Sequence, residues 1–238
     1  MNKQGKGKIE WCIMTLNPVV GCTYGCSYCY ARNMNSRFKW IDDFSKPQFF
    51  PERLKQLNTK NPQNIFVDSM SDIADWQDEW LIETFKAMEK NPQHKYLFLT
   101  KRPEIYSKFA NKRLLLDKAN MWYGSTSTGG NQKRFVRLMT DKLNYKTFIS
   151  IEPLLEPWDF GYGYNGFENN QWVIIGAETG NRKGKVVPKK EWIDDIVKAC
   201  KLAGRPVFMK DSLIPIMGEE NMLREFPKEL RRTIKCEH

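Results

Sequence analysis

An α/β fold built on a mainly parallel sheet is predicted by three observations. Short, nearly continuous apolar runs recur along the chain, amphipathic stretches separate them, and polar residues gather where the runs end. The strand candidates are residues 11–16, 65–68, 96–100, 121–125, 147–152, 172–176 and 206–210. Such runs suit parallel strands covered on both faces. Between them, Leu81, Phe85 and Met88 repeat at helical spacing, as do Ile193, Ile196, Val197 and Cys200. This alternation predicts βα units, arranged as a barrel or as a doubly wound sheet.

Two segments depart from the rhythm. Residues 154–171 include Pro157-Trp158-Asp159-Phe160-Gly161-Tyr162-Gly163-Tyr164, whose glycines and aromatics predict an ordered loop. Residues 219–232 predict a final helix, interrupted or kinked at Pro227. No internal repeat, linker or composition shift divides the chain. Residues 1–238 therefore read as one domain, with a basic tail over 1–8 and a helical extension over 219–238.

Composition narrows the class. Hydrophobic residues at 41% and aromatics at 13% provide for a sizeable core and exclude a disordered chain. No apolar run is long enough to cross a bilayer, and the basic N-terminus precedes no apolar signal segment, so no membrane partner is expected. Six cysteines without such a signal point to reduced thiols in a cytoplasm. The formal charge of +10 and pI near 9.2 predict attraction to polyanions, so a nucleic acid or nucleotide partner is expected. Nothing in the pattern sets an oligomeric state.

The chemistry-bearing motif is Gly21-Cys22-Thr23-Tyr24-Gly25-Cys26-Ser27-Tyr28-Cys29-Tyr30. Three thiolates at C-x3-C-x2-C spacing can hold three irons of a [4Fe-4S] cube and leave the fourth open to a small molecule. Structural zinc is the competing reading. It requires a fourth ligand, for which Cys12 is available, since the only histidines are His94 and His238. A disulfide framework suits short, secreted, cysteine-dense chains and not this one. Cys200 falls on the apolar face of a helix and reads as core; Cys236 reads as a free thiol near the C-terminus.

Ligands of parallel α/β folds bind at the carboxyl ends of strands. Those positions hold Asp68-Ser69-Met70-Ser71-Asp72, Thr100-Lys101-Arg102-Pro103, the run from Gly124 through Ser125 to Asn131, Ser150-Ile151-Glu152-Pro153, Gly176-Ala177-Glu178, and Lys210-Asp211. Ser69, Ser71 and Asp72 could equally turn the chain and cap a helix. The run at 124–130 lacks the Gly-Lys-Ser/Thr ending of a nucleotide P-loop. Glu152 and Glu178 follow apolar strands, where burial demands a partner. Lys101, Arg102, Arg182 and Lys210 are the candidate anion contacts, with Lys183, Lys185, Lys189 and Lys190 forming a basic loop.

The cysteine triplet resembles the radical S-adenosylmethionine (radical SAM) superfamily. Ile9-Glu10-Trp11, Asn17-Pro18-Val19, Cys29-Tyr30-Ala31, Ser69-Met70 with Asp72, Leu99-Thr100-Lys101-Arg102-Pro103, Ser150 with Glu152-Pro153, Gly176 with Glu178 and Gly180, and Phe208 with Lys210 are similar to an uncharacterised radical-SAM-like family common in phages and mobile elements. The resemblance implies a partial (βα) barrel of the radical SAM type, mainly parallel, with the cluster loop after its first strand. It implies an enzyme with a [4Fe-4S] cluster and S-adenosylmethionine as cofactors, abstracting hydrogen from a substrate that the family leaves open; the basic charge makes a nucleic acid or other phosphate-bearing substrate the expectation. An electron donor such as a flavodoxin-type reductant is implied too. Cys22, Cys26 and Cys29 would hold the cluster, and Tyr28 would lie near the adenine. Ser69 and Asp72 stand where the superfamily has a glycine-rich segment, although its Gly-Gly-Glu signature is absent here. Ser125, Ser150 and Glu152 are implied as ribose or methionyl contacts, and Glu178 as an adenine or substrate contact. Two rivals remain: a non-enzymatic nucleic-acid-binding module with a structural metal, and a cluster- and SAM-binding sensor or scaffold.

Overall fold

The computed structural model describes residues 1–130, 145–160, 167 and 169–231. Asn131, residues 161–166 of the aromatic-glycine loop, residues 232–238 of the expected extension and Cys236 lie outside the described residues. The strands are β1 (Asn2–Lys3), β2 (Met14–Thr15), β3 (Val19–Val20), β4 (Gln48–Phe49), β5 (Asn64–Phe66), β6 (Lys95–Thr100), β7 (Met121–Ser127), β8 (Lys146–Ile151), β9 (Val173–Ile175) and β10 (Val207–Met209). The helices are α1 (Tyr30–Phe38), α2 (Asp78–Glu89), α3 (Glu104–Asn111), α4 (Lys190–Leu202) and the short α5 (Ile214–Met217). All seven expected strands are present.

Eight strands make one sheet in the order β1-β2-β5-β6-β7-β8-β9-β10, parallel from β2 to β10. The strand order never reverses, which excludes the doubly wound alternative. Crossovers that always step the same way put the helices on one side when their hand is constant, and the sheet curls into a half-barrel. Strands β3 and β4 pair separately as an antiparallel ribbon.

Side-chain alternation then sorts the core. On the convex face, Ile65, Val67, Phe98 and Tyr123 share a cluster with Leu81, Phe85 and Met88 of α2. Further along, Ile149, Ile151, Val173 and Met209 pack with Ile193, Ile196 and Cys200 of α4, so Cys200 is core as expected. The concave face is filled by Trp11, Phe66, Leu97, Trp122, Phe148, Trp172 and Phe208. Gly124 makes that filling possible, because a Cβ there would sit 2.4 Å from Cζ of Phe148.

Both ends of the chain differ from expectation. The basic N-terminal tail is no loose arm: Asn2 and Lys3 pair antiparallel with Thr15 and Met14. The expected C-terminal helix is absent over the described residues 219–231, which form two short turns, Glu219–Asn221 and Lys228–Leu230, around an extended stretch. In that stretch the Met209 N–H donates to the Leu223 carbonyl at 2.8 Å and the Glu225 N–H to the Val207 carbonyl at 2.9 Å. The open edge of β10 offers backbone partners that outweigh the helical spacing of Met222, Leu223, Phe226 and Leu230. No helix among the described residues is long and apolar enough to cross a membrane.

Candidate functional site

Past the aromatic filling, the inward positions at the carboxyl ends of the strands turn polar. Asp68 follows β5, Ser150 lies in β8, Glu152 follows it, and Lys210 follows β10. Lys210 donates to Glu152 in a partly buried ion pair. Gly176 lies beneath this pair, where a Cβ would come within 3.1 Å of the Glu152 carboxyl carbon and 3.2 Å of Cδ of Lys210. Burial alone would lower the Lys210 pKa, but Glu152 and Glu10 outweigh it and raise it. Burial pushes Asp68 well above the usual carboxylate range, and neighbouring Asp72 adds to the shift. Asp68 accepts the Leu99 N–H at 3.1 Å. The Ser150 hydroxyl is buried and has no hydrogen-bond partner among the described residues.

The cysteine loop lies at this same end of the sheet. Its entry is fixed by Gly21, whose N–H donates to the Met70 carbonyl at 3.0 Å and which bridges Ser71 in parallel. Gly21 has φ +116°, and a Cβ would lie 2.7 Å from Cα of Pro47, so the position demands glycine. Cys22 and Cys29 pack against one apolar cluster of Val20, Ala31, Ile41, Phe44 and Met70. Backbone amides point at both sulfurs: Tyr24 N–H donates to Cys22 Sγ at 3.4 Å and Arg32 N–H to Cys29 Sγ at 3.3 Å. Cys29 thereby caps α1. Burial pushes the Cys22 thiol up to about 12. Burial also raises Cys26, against a smaller lowering by Lys101. These are thiols that ionise when a bound cation compensates the lost hydration. Among the described residues, no three His, Cys, Asp or Glu side chains converge on one point as single-ion ligands do.

A polar latch anchors the loop. Asp75 accepts the Thr23 N–H at 2.9 Å and the Thr23 hydroxyl at 2.8 Å. Arg102 reaches Asp75 at 2.8 Å and Asp72 at 3.8 Å. Asp72 in turn accepts the Thr100 hydroxyl at 2.5 Å and the Lys101 N–H at 3.1 Å. Burial pulls the Asp75 pKa upward, but hydrogen bonds from Arg102 and Thr23 prevail and hold it below the usual carboxylate range. On the other side, the Tyr30 hydroxyl donates to the Ser69 carbonyl at 2.5 Å, and Asn17 Oδ1 accepts both the Ser69 hydroxyl and the Met70 N–H at 2.9 Å. Cysteine loop, β5 loop and β6 loop are thus one bonded unit.

The chain belongs to DUF5131, a family of proteins of unknown function. The match covers residues 6–225, which takes in the cysteine loop, the latch and Lys210. No curated protein matches the chain.

Within this DUF5131 chain the structure sorts the sequence-predicted residues. Cys22, Cys26, Cys29, Tyr28, Ser69, Asp72, Lys101 and Arg102 gather in the loop unit; the Lys101 ammonium lies 5.7 Å from the Tyr28 ring centre. Ser150, Glu152 and Lys210 form the opposite part of the mouth. Ser125 does not join them. It pairs in register with Ile149, a convex-face residue, so the inward positions of β7 are Gly124 and Thr126. Strand parity thus sets Ser125, expected as a ribose or methionyl contact, on the opposite face from Ser150, with its buried hydroxyl unpartnered among the described residues. Glu178 and Arg182 grip each other through two hydrogen bonds of 2.5 and 2.7 Å. Arg102, Arg182 and Lys210, expected to contact anions, are each engaged by carboxylates of the chain itself. Sequence reasoning gave no role to Thr23, Asp75, Asn17 or Tyr30. Their partners lie 27 to 79 residues away, and only the motifs Asn17-Pro18-Val19 and Cys29-Tyr30-Ala31 signalled any of them.

Proposed function

We propose that this DUF5131 protein is a radical SAM enzyme on a partial barrel of that superfamily's type, with Cys22, Cys26 and Cys29 as ligands of a [4Fe-4S] cluster. The observation that carries the reading is the position of the cysteine loop. It is bonded to the loops after β5 and β6, at the carboxyl end of a parallel half-barrel, beside a polar mouth. What the cluster supplies when bound is one low-potential electron for reductive cleavage of S-adenosylmethionine. Three cysteines that each bind a different iron need not converge on one point, which agrees with their arrangement.

The chain's own residues take ordinary roles in this reading. Tyr24 and Arg32 amides donate to cysteine sulfur and favour thiolate. The Thr23–Asp75–Arg102 latch fixes the loop. Ser150 keeps an unused hydroxyl in the mouth for a polar ligand, and Glu152 with Lys210 offers one charge of each sign to an amino acid moiety. The paired state of Arg102 and Arg182 leaves the expected phosphate contacts of the substrate unsupported. The hydrogen donor is therefore proposed by position only, as a molecule reaching this mouth.

Anaerobic reconstitution followed by EPR of the reduced protein tests the proposal. A [4Fe-4S] signal that shifts on adding S-adenosylmethionine is expected, with iron retention lost in Cys22→Ala, Cys26→Ala and Cys29→Ala. A variant that keeps its full iron and sulfide, or a signal indifferent to S-adenosylmethionine, overturns it.

A further inference from the structure

Helix α1 leaves the cysteine loop with the Tyr30 hydroxyl still tied to Ser69, and leaves the large side chains along it partly open to solvent. Tyr30, Met34 and Phe38 are 48%, 39% and 53% exposed, and Trp40 just beyond the helix is 39% exposed. Spaced four apart, the first three make one stripe along the helix. Scattered exposed hydrophobics are common on proteins, but an aligned set ending in a stacked pair is not a scatter. Phe38 and Trp40 stack with ring centres 5.2 Å apart and planes 24° from parallel. The Arg37 guanidinium lies 5.1 Å from the Phe38 ring centre. Arg37 and Trp40 thus both lie against the Phe38 ring.

The chain holds this stack in place at a cost. Lys39 adopts a left-handed conformation with φ 53°, unfavourable for a side-chain-bearing residue, and this turn folds Trp40 back over Phe38. The buried Asn35 clamps the turn: its side chain donates to the Ile41 carbonyl at 2.8 Å and accepts the Ile41 N–H at 3.1 Å. Ile41 is itself buried. A rigid support thus displays an aromatic face to water, the opposite of what stability alone would select.

Charge selects the occupant. Helix α1 carries Arg32 and Arg37 and no acidic residue, and Lys39 follows it. Of the two acids beyond, Asp42 and Asp43, the latter is engaged by Ser45 and Lys46. The whole chain is +10. Planar rings interleaved with cations match the bases and phosphates of a single strand, since every base has a face to stack and every linkage a negative charge. We infer that the α1 face from Tyr30 to Trp40 is a base-stacking surface for single-stranded nucleic acid, with Trp40 as its end platform. This surface stands independently of what the cysteines hold.

Fluorescence anisotropy of the full chain with a fluorescein-labelled oligo-dT of about 12 nucleotides tests it. The double variant Phe38→Ala/Trp40→Ala is expected to weaken binding about tenfold or more without changing its salt slope. Trp40→Phe restores most of the affinity, and Arg37→Gln lowers the slope by about one. Lys90→Gln, on a distant surface, leaves the stacking loss untouched. Matching thermal melts show that the variants fold. No binding, equal binding by the aromatic double variant, or tighter binding to a duplex of the same sequence overturns the inference. If phosphatidylserine-containing vesicles bind instead, and the double variant releases them, the face is a membrane surface and the inference fails.

Discussion

The two ends of the half-barrel's interior are built on the same strands yet behave differently. At the amino end, Trp122, Phe148, Trp172 and Phe208 fill the concavity with aromatic rings. Two residues further along the same alternation stand Gly124, Ser150 and Lys210, and Gly176 stands four beyond Trp172, past the buried Ile174. One step of the pleat therefore separates packing from site. The aromatic end is mainly ring against ring, with centres 4.8 to 6.2 Å apart, and Trp172 adds an Nε1–H bond to the Glu225 carbonyl at 2.9 Å. The polar end must match every charge with a partner, and does so through Glu152–Lys210 and the Asp72–Arg102–Asp75 latch. Stability and chemistry are thus divided along the strand axis, as parallel α/β barrels generally divide them.

The division is broken most directly at Trp172, which is fully buried. Trp172→Ala is expected to cost about 3–5 kcal/mol, read from the urea midpoint at constant slope. A loss below about 1 kcal/mol would mean that the aromatic end does not carry the fold.

A smaller effect is expected at the polar end. Lys210→Met strands Glu152 and should cost about 2–4 kcal/mol, at or below the range for a fully buried pair because Glu152 keeps some contact with water. Adding Glu152→Gln should recover much of that loss. Failure of the double variant to recover would mean that Lys210 stabilises by packing, like the residues beneath it.

The smallest effects separate two carboxylates by sign. Asp75 has a folded pKa below its unfolded value, so its contribution is present above about pH 4 and is lost as pH falls through the folded pKa. Asp68 has a folded pKa well above its unfolded value, so the native state holds the proton more tightly and stability declines as pH rises above about 4. Urea midpoints measured across acid and neutral pH should show the acid limb flattened in Asp75→Asn and the decline above it flattened in Asp68→Asn. Identical profiles for the two variants would remove the contrast.

How far the sequence could be read follows the same division. The seven parallel strands were legible because residues covered on both faces leave nearly unbroken apolar runs. That same coverage hid which face each residue takes. Tyr123 and Trp122 are equally apolar, so nothing local said that Ser125 follows the convex set while Ser150 follows the concave one. The cysteine loop was legible because its spacing is local. The latch was not, since Thr23 meets Asp75 across 52 residues and Arg102 across 79. The helix expected after residue 218 failed for a tertiary reason: the edge of β10 needed a partner. Strands β1, β3 and β4, two residues each, are too short for a periodic signal.

From β5 to β10, neighbours in the sheet are also neighbours in sequence. During synthesis, each strand leaving the ribosome finds the edge it needs already made by the one before it. Bonds between the early and late segments do not follow that schedule. The Asp211 N–H donates to Glu10 across 201 residues, and Asn64 donates to the Leu230 carbonyl across 166. The earliest-made segment must wait for the latest, so Glu10 and Asn64 stay solvated while the sheet grows between them. Joining these segments waits until residues 211 and 230 have left the ribosome, well after the strands from β5 to β8 are free to pair.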